Sequence, residues 1–229
     1  GREPMPITVP MRIERLIVPD AGFGHEARMT GSPRYRAYMR GRVMADIKPK
    51  GGKKLYISRT QIRETKGRVF AESRIEAMLA AEGYEIYHPQ LHSQLDQLAR
   101  YRAARHVVGL DGSAFHLAAV ALAPETKIGL IARRTTALQD YLTDHLQQFT
   151  GAEIHSINVL RDVWVNKGQT RVDYSAIGEL DFPALAAALR KSGFLKKLPK
   201  VENLSAGDLA LAISQSGRGD MERFSDAAP

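Results

Sequence analysis

The stretch RHVVGLDGSAFHLAAVAL, Arg105 to Leu122, joins a short apolar run to an apolar helical pattern through a Gly-Ser turn. RHVVGL reads as a buried strand and Ala114 to Leu122 as the helix that follows it. A tight strand-to-helix turn needs glycine, and one reading of Gly112 stops there. The other starts from the backbone. The N–H groups of Ser113, Ala114 and Phe115 would be unpaired donors at a helix end whose dipole favours an anion. Ser113 or Asp111 acting as a plain helix cap, worth about 1 kcal/mol, is the competing account.

The same rhythm extends to both sides. Ile13 to Pro19, Lys54 to Ser58, Tyr84 to Tyr87, Lys127 to Ile131 and Glu153 to Val159 read as further strands. Helical patterns separate them. Ser32 to Val43 is capped by Ser32 with Pro33 at its first position. Arg68 to Glu82 carries Val69, Ile75, Met78 and Leu79 on one face and stops at Gly83. Ser93 to Arg102 turns Leu95 and Leu98 inward, and Thr136 to Phe149 forms the last helix of the series. Strands alternating with helices predict an α/β, Rossmann-like domain, a mostly parallel sheet with helices on both faces, over residues 1–160. Residues 161–229 read as a C-terminal extension. Within it Asp162 to Tyr174 suggests a hairpin, Asp181 starts a helix with Pro183 in its first turn, and Ser205 to Ser214 forms another. The tail SGRGDMERFSDAAP is polar and reads as frayed, its RGD a chance match.

Composition narrows the function classes. With 44% hydrophobic residues the 229-residue chain packs a core. It has no run long enough to span a bilayer and no signal-peptide pattern. Zero cysteines exclude disulfides and thiolate metal sites and fit a cytoplasmic protein. The net charge of +8 gathers at Lys48, Lys50, Lys53, Lys54, Arg59, Arg63, Lys66 and Arg68, opposed mainly by Glu64. Such a cluster suits a nucleotide, a nucleic acid or an anionic membrane surface, or is a solvated loop. Recognisable nucleic-acid motifs are missing and aromatic content is 7%, so no specific nucleic-acid partner is expected.

Ligands of open parallel sheets bind outside the carboxyl ends of the strands, where strand order reverses. Those ends carry Ser58, Arg59 and Arg63; His88, Gln90 and His92; Asp111, Gly112, Ser113 and His116; and Arg133 and Arg134. Two arginine-bearing ends and a Gly-Ser turn facing one crevice point to phosphate, with Arg59 placed for a bidentate contact. His88 and His92 stand four apart, but Pro89 between them breaks the helix a shared metal would need, so no metal site is expected.

Taken jointly, YISR (Tyr56 to Arg59), GRVFAESRIEAMLAAEGYEIYHPQ (Gly67 to Gln90) and LDQLARYRAARHVVGLDGSAFH (Leu95 to His116) resemble a known glycosyltransferase family. It was first filed as a domain of unknown function. It includes plant xylan-modifying xylosyltransferases, animal protein O-GlcNAc- and O-mannose-modifying transferases, and bacterial capsular polysaccharide enzymes. Its usual pattern is an ISR strand end, an Asn-Glu helix, a strand closed by Pro-Glu, a Gln-bearing helix and a G-x-H-G-S/A turn. The resemblance spans about residues 10–135. It implies a GT-B-type donor-binding domain of a metal-independent, inverting transferase, with a nucleotide sugar as donor substrate and no separate cofactor. By the same resemblance Arg59 would contact the diphosphate and Gly112 and Ser113 would form its seat. Glu72 and Gln97 would support the site, with Ala71 in place of the Asn. Two departures stand out: Asp111 where the family has His, and Gln90 where it has Glu.

Transfer to a saccharide hydroxyl needs a proton acceptor, and Asp111, with His116 behind it, is the nearest candidate in sequence. Arg59, Arg133 and the helix N-terminus would stabilise the departing nucleoside diphosphate. The expected partners are a nucleotide sugar, a saccharide acceptor and peripheral association with a membrane or polysaccharide machinery. The alternative is a binding module for nucleotide sugars that has lost its chemistry; Asp111 and the short chain, which reads as half an enzyme or one with a minimal acceptor region, speak for it.

Overall fold

The computed structural model describes residues 3, 5–18, 22–24, 30–134 and 136–224. Five strands, β1 (Lys54–Ile57), β2 (Glu85–Tyr87), β3 (His106–Leu110), β4 (Lys127–Ile131) and β5 (Ile154–Ile157), form one parallel sheet in the order β2-β1-β3-β4-β5. Every crossover is helical, by α2 (Glu72–Ala80), α3 (Gln94–Ala103), α4 (Ala114–Ala121) and α5 (Thr136–Thr150) in turn. The two-residue period of the strands sorts the core. Leu55, Ile57, Val107, Ile128 and Leu130 join the buried side chains of α3, α4 and α5, with α1 (Pro33–Tyr38) packed against them. Tyr56, Val108, Leu110 and Ile131 join α2 and α6 (Phe182–Lys191) on the other face. Phe115 and Phe194, both fully buried, press on the two faces over Gly109 and Gly129, where an added Cβ would come within 3.0 Å of each ring.

Helix starts follow local chemistry. Ser32, Ser93, Asp181 and Ser205 each accept a backbone N–H at the head of α1, α3, α6 and α7 (Ala206–Ser214), the last as a full capping box. Gly83, at φ 82°, closes α2 as predicted. The Ser32–Val43 helix is present, its second half (Met39–Val43) wound as a π-helix.

Four expectations are corrected. Residues 13–18 form no strand: the run is apolar, but no sheet edge pairs with it, and Leu16, Ile17 and Val18 are exposed; Pro19 lies outside the described residues. Leu95 is 68% exposed, because α3 buries Leu98, Ala99, Tyr101 and Ala103, and its first turn projects past that packing. The expected hairpin at 162–174 is not local. β6 (Leu160–Asn166) pairs instead with β7 (Ile177–Leu180) and with β8 (Met221–Arg223), giving a three-stranded antiparallel sheet β7-β6-β8. The tail therefore closes a sheet up to Arg223, whose guanidinium lies 5.3 Å from the Trp164 ring centroid; residues 225–229 lie outside the described residues. Val69 bridges to Gly178, so the second sheet is tied to the segment that leads into α2.

Candidate functional site

Strand order reverses between β1 and β3: the chain leaves β1 for one side through α2 and β3 for the other through α4. The loops after these two strands diverge and open a crevice at their carboxyl ends. A cavity of about 410 Å³ lies there. Arg59, Asp111, Gly112, Ser113, His116 and Arg133 all line it, so six of the eight residues selected from sequence meet in one place.

The cations are held by main chain. Arg59 donates through Nε (3.0 Å) and Nη2 (2.8 Å) to the carbonyl of Gly67, whose own N–H donates to the carbonyl of Tyr174 at 3.0 Å. A Cβ on Gly67 would meet the carbonyls of Tyr174 and Ala176 at 2.6 Å and collide with Arg133, so only glycine fits. Gly112 has a similar reason: a Cβ there would stand 2.5 Å from Arg59 Nη1. Its absence of side chain admits the guanidinium to the turn. Lys66 and Arg134 complete a four-cation lining. Among the described residues neither Arg59 nor Arg134 has a carboxylate at ion-pair distance, and Arg134 Nε is buried without an acceptor. Burial pulls Arg133 down to about 10, with Asp111 opposing and Arg59 and Arg134 adding to the drop. Burial likewise lowers Arg59, and Arg134 adds to it against Glu72 and Asp111. These cations repel one another in a poorly solvated volume, an arrangement that an anion relieves.

Asp111, the first candidate for the proton acceptor, is buried and committed. Its Oδ1 lies 2.8 Å from Arg133 Nε, at 4% and 3% side-chain exposure, and its Oδ2 accepts the N–H of Arg133 at 3.4 Å. Arg133 Nε also donates to the Asp111 carbonyl at 2.9 Å. The repulsion expected between this carboxylate and a phosphate is offset inside the protein. The pair also locks the turn after β3 to the loop after β4.

The turn itself departs from the expectation in one donor. The N–H of Phe115 is taken by the Gly112 carbonyl (3.1 Å) and that of His116 by the Ser113 carbonyl (3.1 Å). The N–H groups of Ser113 and Ala114 have no protein acceptor among the described residues. Ser113, αR at φ −61°, makes no capping bond with its side chain, and Asp111 caps nothing either. The helix-cap reading therefore falls, and two amides and the dipole of α4 are left for a ligand.

Glu72 and Gln97 sit behind this lining. Glu72 is 4% exposed; its Oε1 accepts the N–H of Arg59 (2.8 Å) and the hydroxyl of Tyr56 (3.0 Å), and its Oε2 has no partner. Burial pushes its carboxyl up to about 7, against these hydrogen bonds. Gln97 donates Nε2 to the carbonyls of Pro89 (2.8 Å) and His92 (3.1 Å), fixing the turn after β2. His116 lines the cavity and packs on His145, ring centroids 4.8 Å apart. Burial lowers both, His145 to about 4, so both are neutral at pH 7. His92 stacks on Tyr87, centroids 4.7 Å apart, with Nδ1 3.3 Å from Asp96, and does not approach the cavity.

Lys66, Tyr141 and Tyr174 also line the cavity but were not selected from sequence. Lys66 belongs to the basic cluster, which was the available signal. Its Nζ stands 5.1 Å from the Tyr174 ring centroid. Tyr141 lies in the second turn of α5 and Tyr174 in the loop before β7, places where only the tertiary fold brings a ring to the crevice.

The fold and crevice define an α/β protein with a cation-lined cavity at the switch point of a parallel sheet. The glycosyltransferase 61 family model matches residues 4–129, more than half of the chain. The protein belongs to that family and is a glycosyltransferase. The match contains Arg59, Glu72, Gln97, Asp111, Gly112, Ser113 and His116; Arg133 and Arg134 follow just beyond it. No curated protein sequence matches the chain. Among the described residues no helix is long and apolar enough to cross a membrane.

Proposed function

We propose that the chain is a GT-B-type donor domain that transfers a glycosyl group from a nucleoside-diphosphate sugar to a saccharide hydroxyl with inversion. One observation carries this: Arg59, Arg133, Arg134 and Lys66 share one cavity with Ser113, whose N–H is free at the head of α4. Two adjacent phosphates match that density of donors. As the glycosyl–oxygen bond breaks, negative charge builds on the diphosphate, and these groups stabilise it without metal assistance. The acceptor oxygen attacks the anomeric carbon from the opposite face as it loses its proton. Asp111 holds Arg133, and His116, neutral, lines the same leaving-group side, so the acceptor's proton passes to a base on the opposite face, outside this cavity. Donor and saccharide acceptor are its partners, in the cytoplasm or peripherally at a membrane carrying polysaccharide machinery.

Thermal shift with UDP, GDP, CDP and ADP tests the donor site. Binding at a hundred times Kd stabilises by about 2.7 kcal/mol, a rise of roughly 5–10 °C at 2–4 °C per kcal/mol for a chain of this size. Arg59→Ala should abolish the rise. No shift with any of the four would refute the donor site. Binding without hydrolysis or transfer of any cognate donor would leave the non-catalytic module.

A further inference from the structure

Across Arg59 and the Gly112–Ser113 turn from the arginine-lined cavity lies a second depression of about 300 Å³. It is bounded by the end of β1, the turn after β2 and the heads of α3 and α4. Arg59 is the one charged residue in its lining among the described residues, and its guanidinium is bound to Gly67 on the other side. What the second lobe offers is neutral hydrogen-bonding capacity. Gln90 and Gln94 are exposed with uncommitted amides. Gln97 spends its Nε2 on main chain and keeps Oε1 as an acceptor, and Ser113 keeps its hydroxyl. Apolar walls come from Ile62 and Leu117. Aromatic rings are distributed the opposite way: Tyr141, Tyr174 and His116 all line the arginine lobe, and the amide lobe has none.

We propose that the nucleotide sugar lies across the Gly112–Ser113 turn, with diphosphate and base in the arginine lobe and an uncharged glycosyl group in the amide lobe, where Gln90 and Gln94 select it. The inference rests on the nucleotide-sugar reading above and adds the direction of the donor and the residues that read its sugar. Charge sorts the two ends, because phosphate belongs with the cations. A flat base finds π surfaces only on that same side. Primary amides both donate and accept, so they match vicinal hydroxyls, which do the same. A carboxylated sugar would find no free cation in the amide lobe to offset its desolvation.

The experiment is calorimetric titration with UDP, UDP-glucose and UDP-glucuronate, and in parallel GDP and GDP-mannose. It compares the wild-type chain, the double variant Gln90→Ala/Gln94→Ala, and Tyr174→Ala, all exposed positions that leave the core intact. The wild-type chain should prefer UDP-glucose, or GDP-mannose, over UDP-glucuronate. The double variant should keep its Kd for the bare diphosphate within about twofold. It should change the ratio of sugar-nucleotide to diphosphate affinity by about tenfold, the worth of one or two hydrogen bonds. Tyr174→Ala should weaken diphosphate and sugar nucleotide by the same factor and leave that ratio alone. If the glutamine variant weakens the bare diphosphate, or leaves the ratio unchanged, the assignment of the two lobes is overturned while the donor site stands. If no diphosphate binds the wild-type chain, the nucleotide-sugar reading falls, and this one with it.

Discussion

Ala71 is the one non-glycine residue with positive φ among the described residues, at 52°. An L side chain there costs about 1–2 kcal/mol, which glycine avoids and asparagine tolerates better. The position heads α2, which has no side-chain cap, and it is where the family motif carries Asn. Ala71→Asn should therefore raise stability by about 1 kcal/mol, seen as a higher urea midpoint at unchanged m. An unchanged or lower midpoint would refute the strain argument. The neighbouring residue predicts a pH dependence. Glu72 is raised from 4.5 to about 7 in the folded state, so the folded chain holds that proton more tightly than the unfolded one. The resulting stability is fully present below about pH 4.5 and is lost as pH rises through about 7. Glu72→Gln should flatten the decline of Tm between about pH 5 and pH 8, a difference approaching 3 kcal/mol at about 1.4 kcal/mol per pH unit. Parallel Tm–pH curves for the two proteins would remove Glu72 as the cause. At this scale the sequence pointed to residues that line one cavity. It did not show that Glu72 is sealed beneath β1, because burial of a carboxylate depends on neighbours from another element.

Among elements, the decisive contact is the one between the turn after β3 and the loop after β4. Asp111 and Arg133 were each legible as strand-end residues, since both strands are short apolar runs bounded by turn residues. Their pairing was not, because it depends on β3 and β4 lying side by side in register, Leu110 opposite Ile131. Asp111→Asn leaves a buried guanidinium without its counter-charge and should cost about 3–5 kcal/mol. The double variant Asp111→Asn/Arg133→Leu should recover most of that loss in a double-mutant cycle. Additive losses would mean that the two side chains act independently. The parallel elements were read well because each buries its own face locally. The antiparallel sheet was misread because β6 takes partners from positions up to 59 residues away, Val163 to Gly178 and Trp164 to Arg223 among them. Local alternation favoured the nearer segment 169–174, which instead supplies Tyr174 to the crevice. The RGD triplet set aside in the tail has a similar structural use: Arg218 donates to the carbonyls of Glu64 (2.8 Å) and Lys66 (3.2 Å), bracing the loop that carries Lys66.

Over the whole molecule, the net charge of +8 divides into a solvated part and a sequestered part. Lys48, Lys50 and Lys53 face water, where salt screens them. Arg59 and Arg133 are held in the crevice by main-chain carbonyls, from segments that meet only when the sheet has formed. Their mutual repulsion has a kinetic corollary. Whatever anion relieves it is retained, and on the proposed function the relief is the same for the incoming nucleotide sugar and for the nucleoside diphosphate that transfer would leave. Turnover should therefore be paced by departure of that leaving group, and the diphosphate should act as a competitive inhibitor with a constant at or below the donor's Kd. A pre-steady-state burst of transfer followed by slower cycling would register it, and Arg134→Ala should speed the slow phase while weakening the inhibitor. On that reading, the electrostatic strain that would draw the donor in should also set how long the enzyme waits between one transfer and the next.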